Sequence, residues 1–287
     1  MPPVHGGLLL RRGGLDWSRR PLVMGVLNVT PDSFSDGGRY LDLDQAVAHG
    51  ERMIADGADM IDVGAESTRP GSDPVPAVVQ RDRAVPVIAA LRRRHGEVVI
   101  SIDTRVASVA RAAIDAGADI VNDISALRHD GDMAGVVADA GVGVVLMHMK
   151  GTPKDMQRDG GPVYDDVVAE IIAFLARRTE DAVRRGIDRA RIVVDPGLGF
   201  GKRPADNLSI LKHLDRVVAI GVPVLVGASR KRFIGDVLSI DEPRLRDAGS
   251  VACAVLAAAS GAAVVRVHDV RATVDAVRVV GAVRGAV

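Results

Sequence analysis

The chain has 287 residues, 47% of them apolar, enough for one well-buried core and, on length alone, for two domains. Its 37 basic and 37 acidic residues balance, so overall charge gives no support to nucleic acid or an anionic membrane as partner, although a local anion site stays open. The single cysteine, Cys253, excludes an intramolecular disulfide and fits a reducing compartment; within the apolar run 251–259 it reads as a small buried hydrophobe.

Residues 1–20 carry Arg11, Arg12, Arg19 and Arg20 around a three-leucine run that is too short for the core of a secretory signal, and they are read as an N-terminal extension. No stretch approaches the ~18 apolar residues that cross a bilayer, so a soluble cytoplasmic protein with no membrane partner is expected. A first strand is predicted over 22–27. A helix follows over 44–56, where Ala46, Val47, Gly50, Met53 and Ile54 share one face. Gly57-Ala58-Asp59 then leads into a strand over 60–63. The same rhythm recurs: helix 78–93, strand 98–102, helix 105–116, Gly117, strand 120–121, helix 132–140, Gly141, strand 144–147. It continues with helix 165–185, strand 191–194, helix 207–219, Gly221, strand 224–226, helix 247–260, Gly261, strand 264–267 and helix 272–280. Glycine suits the left-handed position just past a helix, and an unbroken β-branched run suits a strand buried on both faces. Eight such alternations predict one closed (β/α)8 TIM barrel over residues 21–287, rather than an open doubly wound sheet, with its active site at the C-terminal ends of the strands.

The polar residues sit at those ends. Asn28 follows the first strand, Asp62 lies within the second with Glu66 beyond it, and Asp103 follows the third. Asn122 and Asp123 end the fourth, His148 the fifth and Asp195 the sixth. Ser229 and Lys231 follow the seventh, and His268 and Asp269 the eighth. One such residue is ordinarily a helix cap or turn former; a complete ring that includes His and Lys points to a site. The runs Asn28-Val29-Thr30-Pro31-Asp32-Ser33-Phe34-Ser35-Asp36-Gly37-Gly38 and Glu66-Ser67-Thr68-Arg69-Pro70-Gly71 are rich in small and turn-forming residues, as in loops that fold over a ligand.

These two runs resemble the signatures of the dihydropteroate synthase family. Ser101-Ile102-Asp103-Thr104, Val121-Asn122-Asp123, Met147-His148-Met149, Asp195-Pro196-Gly197, Gly227-Ala228-Ser229-Arg230-Lys231 and Arg266-Val267-His268-Asp269 match in order, and the resemblance runs from about residue 22 to 280. It implies a folate-biosynthesis transferase that condenses (7,8-dihydropterin-6-yl)methyl diphosphate with 4-aminobenzoate, uses Mg2+, is a sulfonamide target and forms a homodimer. The resemblance implies that Asp103, Asn122 and Asp195 read the pterin ring and that Lys231 donates to it. Thr68, Arg266, Val267 and His268 would complete the pterin diphosphate site. Phe34, Thr68, Pro70 and Arg232 would hold 4-aminobenzoate, and Asn28 the metal. Asp36, Arg69, Lys231, Arg266 and His268 would carry the chemistry. His148 and Met149 would line the pocket, without His148 acting as a base. The residue types suit the task. Carboxylates near a developing carbocation stabilise it, arginine forks clamp phosphate, and Mg2+ accepts an amide oxygen beside phosphates and waters. A carboxylate finds backbone N–H groups at a helix N-terminus. Ala65 and Leu198 depart from the family pattern, where a second glycine and a larger aromatic are common; neither removes a contact. Two other readings share the pterin-reading residues: a methyltetrahydrofolate-binding methyltransferase domain and a non-catalytic pterin-binding paralogue.

Overall fold

The computed structural model describes residues 7–29, 39–68, 71–158 and 161–286. A two-stranded antiparallel hairpin, β1 (Gly7–Leu10) and β2 (Gly13–Asp16), precedes the repeating part. Then come β3 (Leu22–Asn28), α1 (Arg39–Ala55), β4 (Met60–Gly64), α2 (Ala77–Arg94), β5 (Val99–Asp103), α3 (Ala107–Asp115), β6 (Ile120–Asp123), α4 (Met133–Ala140) and β7 (Gly143–Met147). The second half holds α5 (Val167–Arg184), β8 (Ile192–Asp195), α6 (Pro204–Lys212), α7 (Leu214–Val218), β9 (Leu225–Val226), α8 (Arg232–Leu238), α9 (Asp247–Ala259), β10 (Val264–Val267) and α10 (Val270–Gly285).

The eight strands β3 to β10 pair in parallel, in the order β8-β7-β6-β5-β4-β3-β10-β9. A single bridge, Val194 to Val224, closes the ring between β8 and β9. This is the predicted (β/α)8 barrel. The strands lie where the apolar runs place them, extended by one or two residues at several ends, because Asn28, Gly64, Asp103 and Asp195 still belong to the ladders. Caps fix the helices locally. The carboxylate of Asp166 accepts from the backbone N–H groups of Val168 and Ala169 at the start of α5, and that of Asp269 accepts from Ala272 N–H at the start of α10. The helix predicted over 207–219 starts earlier, at Pro204, whose fixed φ suits a first helical turn, and it divides at His213 into α6 and α7.

Alternation along each strand sorts the side chains. Val23, Leu27, Ile61, Val63, Ile100, Ile102, Val121, Val144, Leu146 and Val265 face the helices in one large core. Met24, Met60, Val99, Ile120, Val145, Val193, Leu225 and Val264 face the barrel axis. The hairpin joins this second cluster: Leu8 and Leu10 are buried in it while Leu9 between them is exposed, with Leu15 and Trp17 packed alongside. Leu8 and Leu10 each contribute about 1.5–3 kcal/mol on leaving water, so the hairpin is the floor of the barrel. Cys253 is buried in the outer core, and its burial pushes the thiol up to about 11, as a packing residue requires.

Candidate active site

Above the apolar floor, the next inward positions are Asp62, Ser101, Asn122, Met147, Asp195 and Arg266, followed toward the mouth by Asn28, Asp103 and His268. The strands therefore stack a charged layer directly on a greasy one. Arg266 organises it: its Nε donates to Asp62 Oδ2 at 2.6 Å, and its Nη2 donates to Asp103 Oδ2 at 3.0 Å. Asn122 Nδ2 donates to the same Asp62 oxygen at 3.0 Å. Asp62 is wholly buried, and its other carboxylate oxygen has no partner. Burial pulls the Arg266 guanidinium down, but Asp62 and Asp103 outweigh it and leave the group raised. Burial pushes the Asp103 carboxyl up from the usual carboxylate range, chiefly against the pull of Arg266.

Asp195 and Lys231 form the second half of the layer. Burial raises the Asp195 carboxyl, chiefly against the pull of Lys231, while Gly197 N–H donates to its Oδ1 at 2.7 Å. Burial lowers Lys231 to about 8, with Asp195 as the main opposing charge. The Lys231 ammonium donates to the carbonyl of Leu198 and lies 4.6 Å over the ring of Phe200. Phe200 packs with Ile124, Met147, Met149 and Met156, an apolar wall beside the carboxylates. A flat heterocycle with donors along one edge finds both acceptors and an apolar face here.

At the rim, Ser229 Oγ lies 2.9 Å from His268 Nδ1 and accepts from His268 N–H at 3.2 Å, which fixes the imidazole beside Arg266. Asn28, the last residue of β3, and Thr68, in the loop after β4, are half-buried. Arg232 opens α8, its side chain exposed and within 3.7 Å of Asp236, so only its backbone N–H lies at the helix start. Val267 faces outward with the helix-side core, because it alternates with Arg266 and His268; its side chain does not reach the ring of polar groups. Phe34, Asp36, Arg69 and Pro70 lie outside the described residues. His148 turns away from the axis as well: its ring packs edge-on against Phe174 of α5 at 4.9 Å. Met149 does lie in the apolar wall. Asp123 has a local role, accepting from Ser125 and Leu127 N–H at 2.7 and 2.9 Å in a turn where Ala126 and Leu127 both have positive φ.

Two buried charges carry no assigned role in the reading of the sequence, although Asp62 belongs to its ring of strand-end polar residues. Asp62 sits mid-strand between Ile61 and Val63, as Arg266 sits between Val265 and Val267. A charge in the middle of a strand buried on both faces needs an opposite charge at equal depth, and that pairing was the available signal. Lys202 ends a glycine-rich loop and is 2% exposed, where a lysine ordinarily marks solvent.

Among proteins of known kind, a family model described as pterin binding enzyme matches residues 24–268. The chain is 50% identical to dihydropteroate synthase of Mycobacterium leprae over 91% of this chain and 92% of that one. The crystal structure of Xanthomonas albilineans dihydropteroate synthase with 4-aminobenzoic acid is 48% identical, with a TM-score of 0.88 and 96% of each chain covered. The same enzyme in complex with 7,8-dihydropteroate superimposes with a TM-score of 0.85 at 46% identity, covering 96% of this chain and 97% of that one. With the ordered motifs, the barrel and the Asp–Asn–Lys–Arg layer at its mouth, these likenesses place the chain in the dihydropteroate synthase family of pterin-binding enzymes.

Proposed function

We propose that the chain joins 4-aminobenzoate to (7,8-dihydropterin-6-yl)methyl diphosphate, releasing diphosphate and 7,8-dihydropteroate, a step of folate biosynthesis. The observation that carries this is the buried layer of Asp103, Asn122 and Asp195 with Lys231 and Arg266, in a chain 46% identical to an enzyme solved with 7,8-dihydropteroate.

The pterin edge donates N–H groups to Asp195 and Asp103 and exchanges hydrogen bonds with the Asn122 amide. Lys231 donates to ring acceptors, and the wall of Met147, Met149 and Phe200 covers the ring. The buried carboxylates stabilise positive charge on the pterin methyl carbon as diphosphate departs, acting from fixed positions that need no reorganisation. Arg266 and His268 hold the leaving oxygens, with Ser229 orienting the imidazole. The aryl amine then bonds to that carbon and loses a proton to solvent. The 4-aminobenzoate carboxylate is held at the N-terminus of α8, whose first N–H groups belong to residues from Arg232 onward. By the resemblance, Thr68, Phe34 and Pro70 contact the 4-aminobenzoate, Asp36 and Arg69 serve the chemistry, and the pterin substrate binds first.

The proposal includes Mg2+. A side chain placed on Gly64 would lie 3.5 Å from Asn28 Oδ1 and 3.9 Å from Asp103 Oδ2, so an amide oxygen and a carboxylate oxygen converge beside the mouth. Among the described residues no cluster of three or more His, Cys, Asp or Glu could form a full protein cage. One amide oxygen plus substrate phosphates and waters fits an ion that keeps much of its hydration shell. Held there, Mg2+ would supply positive charge that offsets that of the leaving diphosphate.

A cytoplasmic homodimer with only small-molecule substrates completes the reading. Among the described residues no helix is long and apolar enough to cross a membrane. Val237 and Leu238 of α8, Leu245, Leu256 of α9, and Val279 and Val283 of α10 are exposed, an apolar edge suited to a second copy.

The test is an assay of purified protein with the pterin diphosphate, 4-aminobenzoate and Mg2+, following diphosphate release. Turnover is expected, with Asp103→Asn at least 100-fold slower and still folded. No turnover, or wild-type turnover in D103N, overturns the assignment.

A further inference from the structure

Between Ser229, which touches His268, and Lys231, the lysine of the buried layer, stands Arg230 with a φ of 60°. A residue with a Cβ is disfavoured there, and turns that need this backbone ordinarily take glycine or asparagine. Arg230 is the third residue of a four-residue turn closed by Lys231 N–H donating to Ala228 O at 3.2 Å. α8 begins directly after it, with Lys231 as its N-cap.

The start of α9 holds this turn through three contacts. Arg230 N–H donates to Ser250 Oγ at 2.9 Å, and Arg246 Nη1 donates to Arg230 O at 3.0 Å. The Arg230 guanidinium meets both carboxylate oxygens of Asp247, Nε to Oδ1 at 2.7 Å and Nη2 to Oδ2 at 2.9 Å. Ser250 and Arg246 are buried, and the Ser250 hydroxyl donates to Arg246 O at 2.8 Å, so the two groups that grip the Arg230 peptide are tied to each other. Arg246 also donates to Ile240 O at 3.0 Å and to Asp241 O, beyond the far end of α8. A side chain on Gly235 would lie 2.5 Å from Arg246 Nε, so the guanidinium rests against the helix backbone.

As a stability device the Arg230–Asp247 pair is weak, because its side chains are 27% and 29% exposed. A two-pronged fork nevertheless fixes direction as well as distance. Here it grips the residue of the turn whose backbone is least comfortable, between two neighbours whose side chains need placing. Glycine would adopt the same φ without strain, so the arginine contributes through its side chain.

We propose that Arg230 and Asp247 are positioning residues of the site: their ion pair locks the turn that delivers Ser229 to His268, Lys231 to the buried layer, and the first N–H groups of α8 to the mouth. The inference rests on the reading of function above. One contact on the helix side thus governs groups assigned to both substrates, and loosening it raises both KM values together.

The experiment compares wild type, R230G, D247A and R230G/D247A in steady-state kinetics with both substrates, with thermal unfolding by circular dichroism alongside. Glycine suits the backbone at 230, so the melting temperature of R230G is expected near that of wild type. In R230G and in D247A, kcat/KM is expected to fall on the order of tenfold to a hundredfold, the scale of a small misplacement of reacting groups. Both KM values rise, and the double variant is no slower than the slower single one, because the two residues act as a unit. Wild-type kcat/KM in either single variant overturns the proposal, as do losses that multiply in the double variant. If D247A fails to fold, R230G alone decides. The 1H–15N signals of the His268 imidazole, assigned through H268Q, give a readout apart from turnover. They are expected to move in R230G, and signals coincident with wild type overturn the proposal. If the wild type turns nothing over, the functional reading fails instead, and this spectrum still tests the turn.

Discussion

Replacing Asp62 by alanine is expected to destabilise the barrel severely while leaving its outer surface untouched. Asp62 Oδ2 receives Arg266 Nε at 2.6 Å and Asn122 Nδ2 at 3.0 Å, and the residue is wholly buried. Truncating one partner of a buried pair costs ~3–5 kcal/mol; Asp103 still holds Arg266 Nη2, which favours the low end, about 3 kcal/mol. Orphaning the Asn122 amide adds about 1 kcal/mol. The total, about 4 kcal/mol, is roughly a thousandfold in the folding equilibrium. Asp62→Asn keeps an acceptor oxygen and loses only the charge, at about 2 kcal/mol. Urea unfolding followed by circular dichroism reads both, and the D62A midpoint should fall by more than about 1 M for a chain of this size. With Asp62 gone, Arg266 leans wholly on Asp103, so the KM for the pterin diphosphate rises while that for 4-aminobenzoate holds. A D62A protein within about 1 kcal/mol of wild type would show that the pair does not bear on the core in this way.

Leu8→Ala removes a buried hairpin side chain from the barrel floor and should cost about 3 kcal/mol; an unchanged melting temperature would mean that the hairpin is not integral. Chelation should suppress turnover and added Mg2+ restore it, and full activity in metal-free buffer would remove Asn28 from a metal role. Leu245→Glu combined with Leu256→Glu should convert a dimer to a monomer in analytical ultracentrifugation, and a dimer that survives both charges places its interface elsewhere.

The barrel was legible because buried parallel strands are short apolar runs and because a glycine closes so many of the helices; Gly141, at φ 61°, ends α4 as that pattern requires. The mouth was legible because Asp103, Asn122, Asp195, Lys231 and His268 fall at strand ends. What carried no role in the sequence follows from local reading of a non-local arrangement. The hairpin's strands are four residues each, and Leu8-Leu9-Leu10 looks like an apolar run until a floor exists to bury alternate members. Val267 alternates with Arg266 and His268 along β10, so its side chain joins the helix-side core. Asp62 and Lys202 become interpretable only once partners 204 and 54 positions away along the chain stand beside them.

The filled axis, capped at its end by the hairpin, makes the barrel a cup and not a tube. Leu8 and Leu10 seal one end of the axis with the same kind of side chains that fill its lower layers. Everything that enters by the mouth therefore leaves by it, and the proposed enzyme has one doorway for two substrates and two products. A pterin seated against Asp195 and Asn122 lies deeper than the 4-aminobenzoate above it, so first in becomes last out: diphosphate can depart beside the newly joined molecule, but the pterin half cannot pass its own benzoate half. In such a vessel, turnover is a matter of emptying as much as of bond-making.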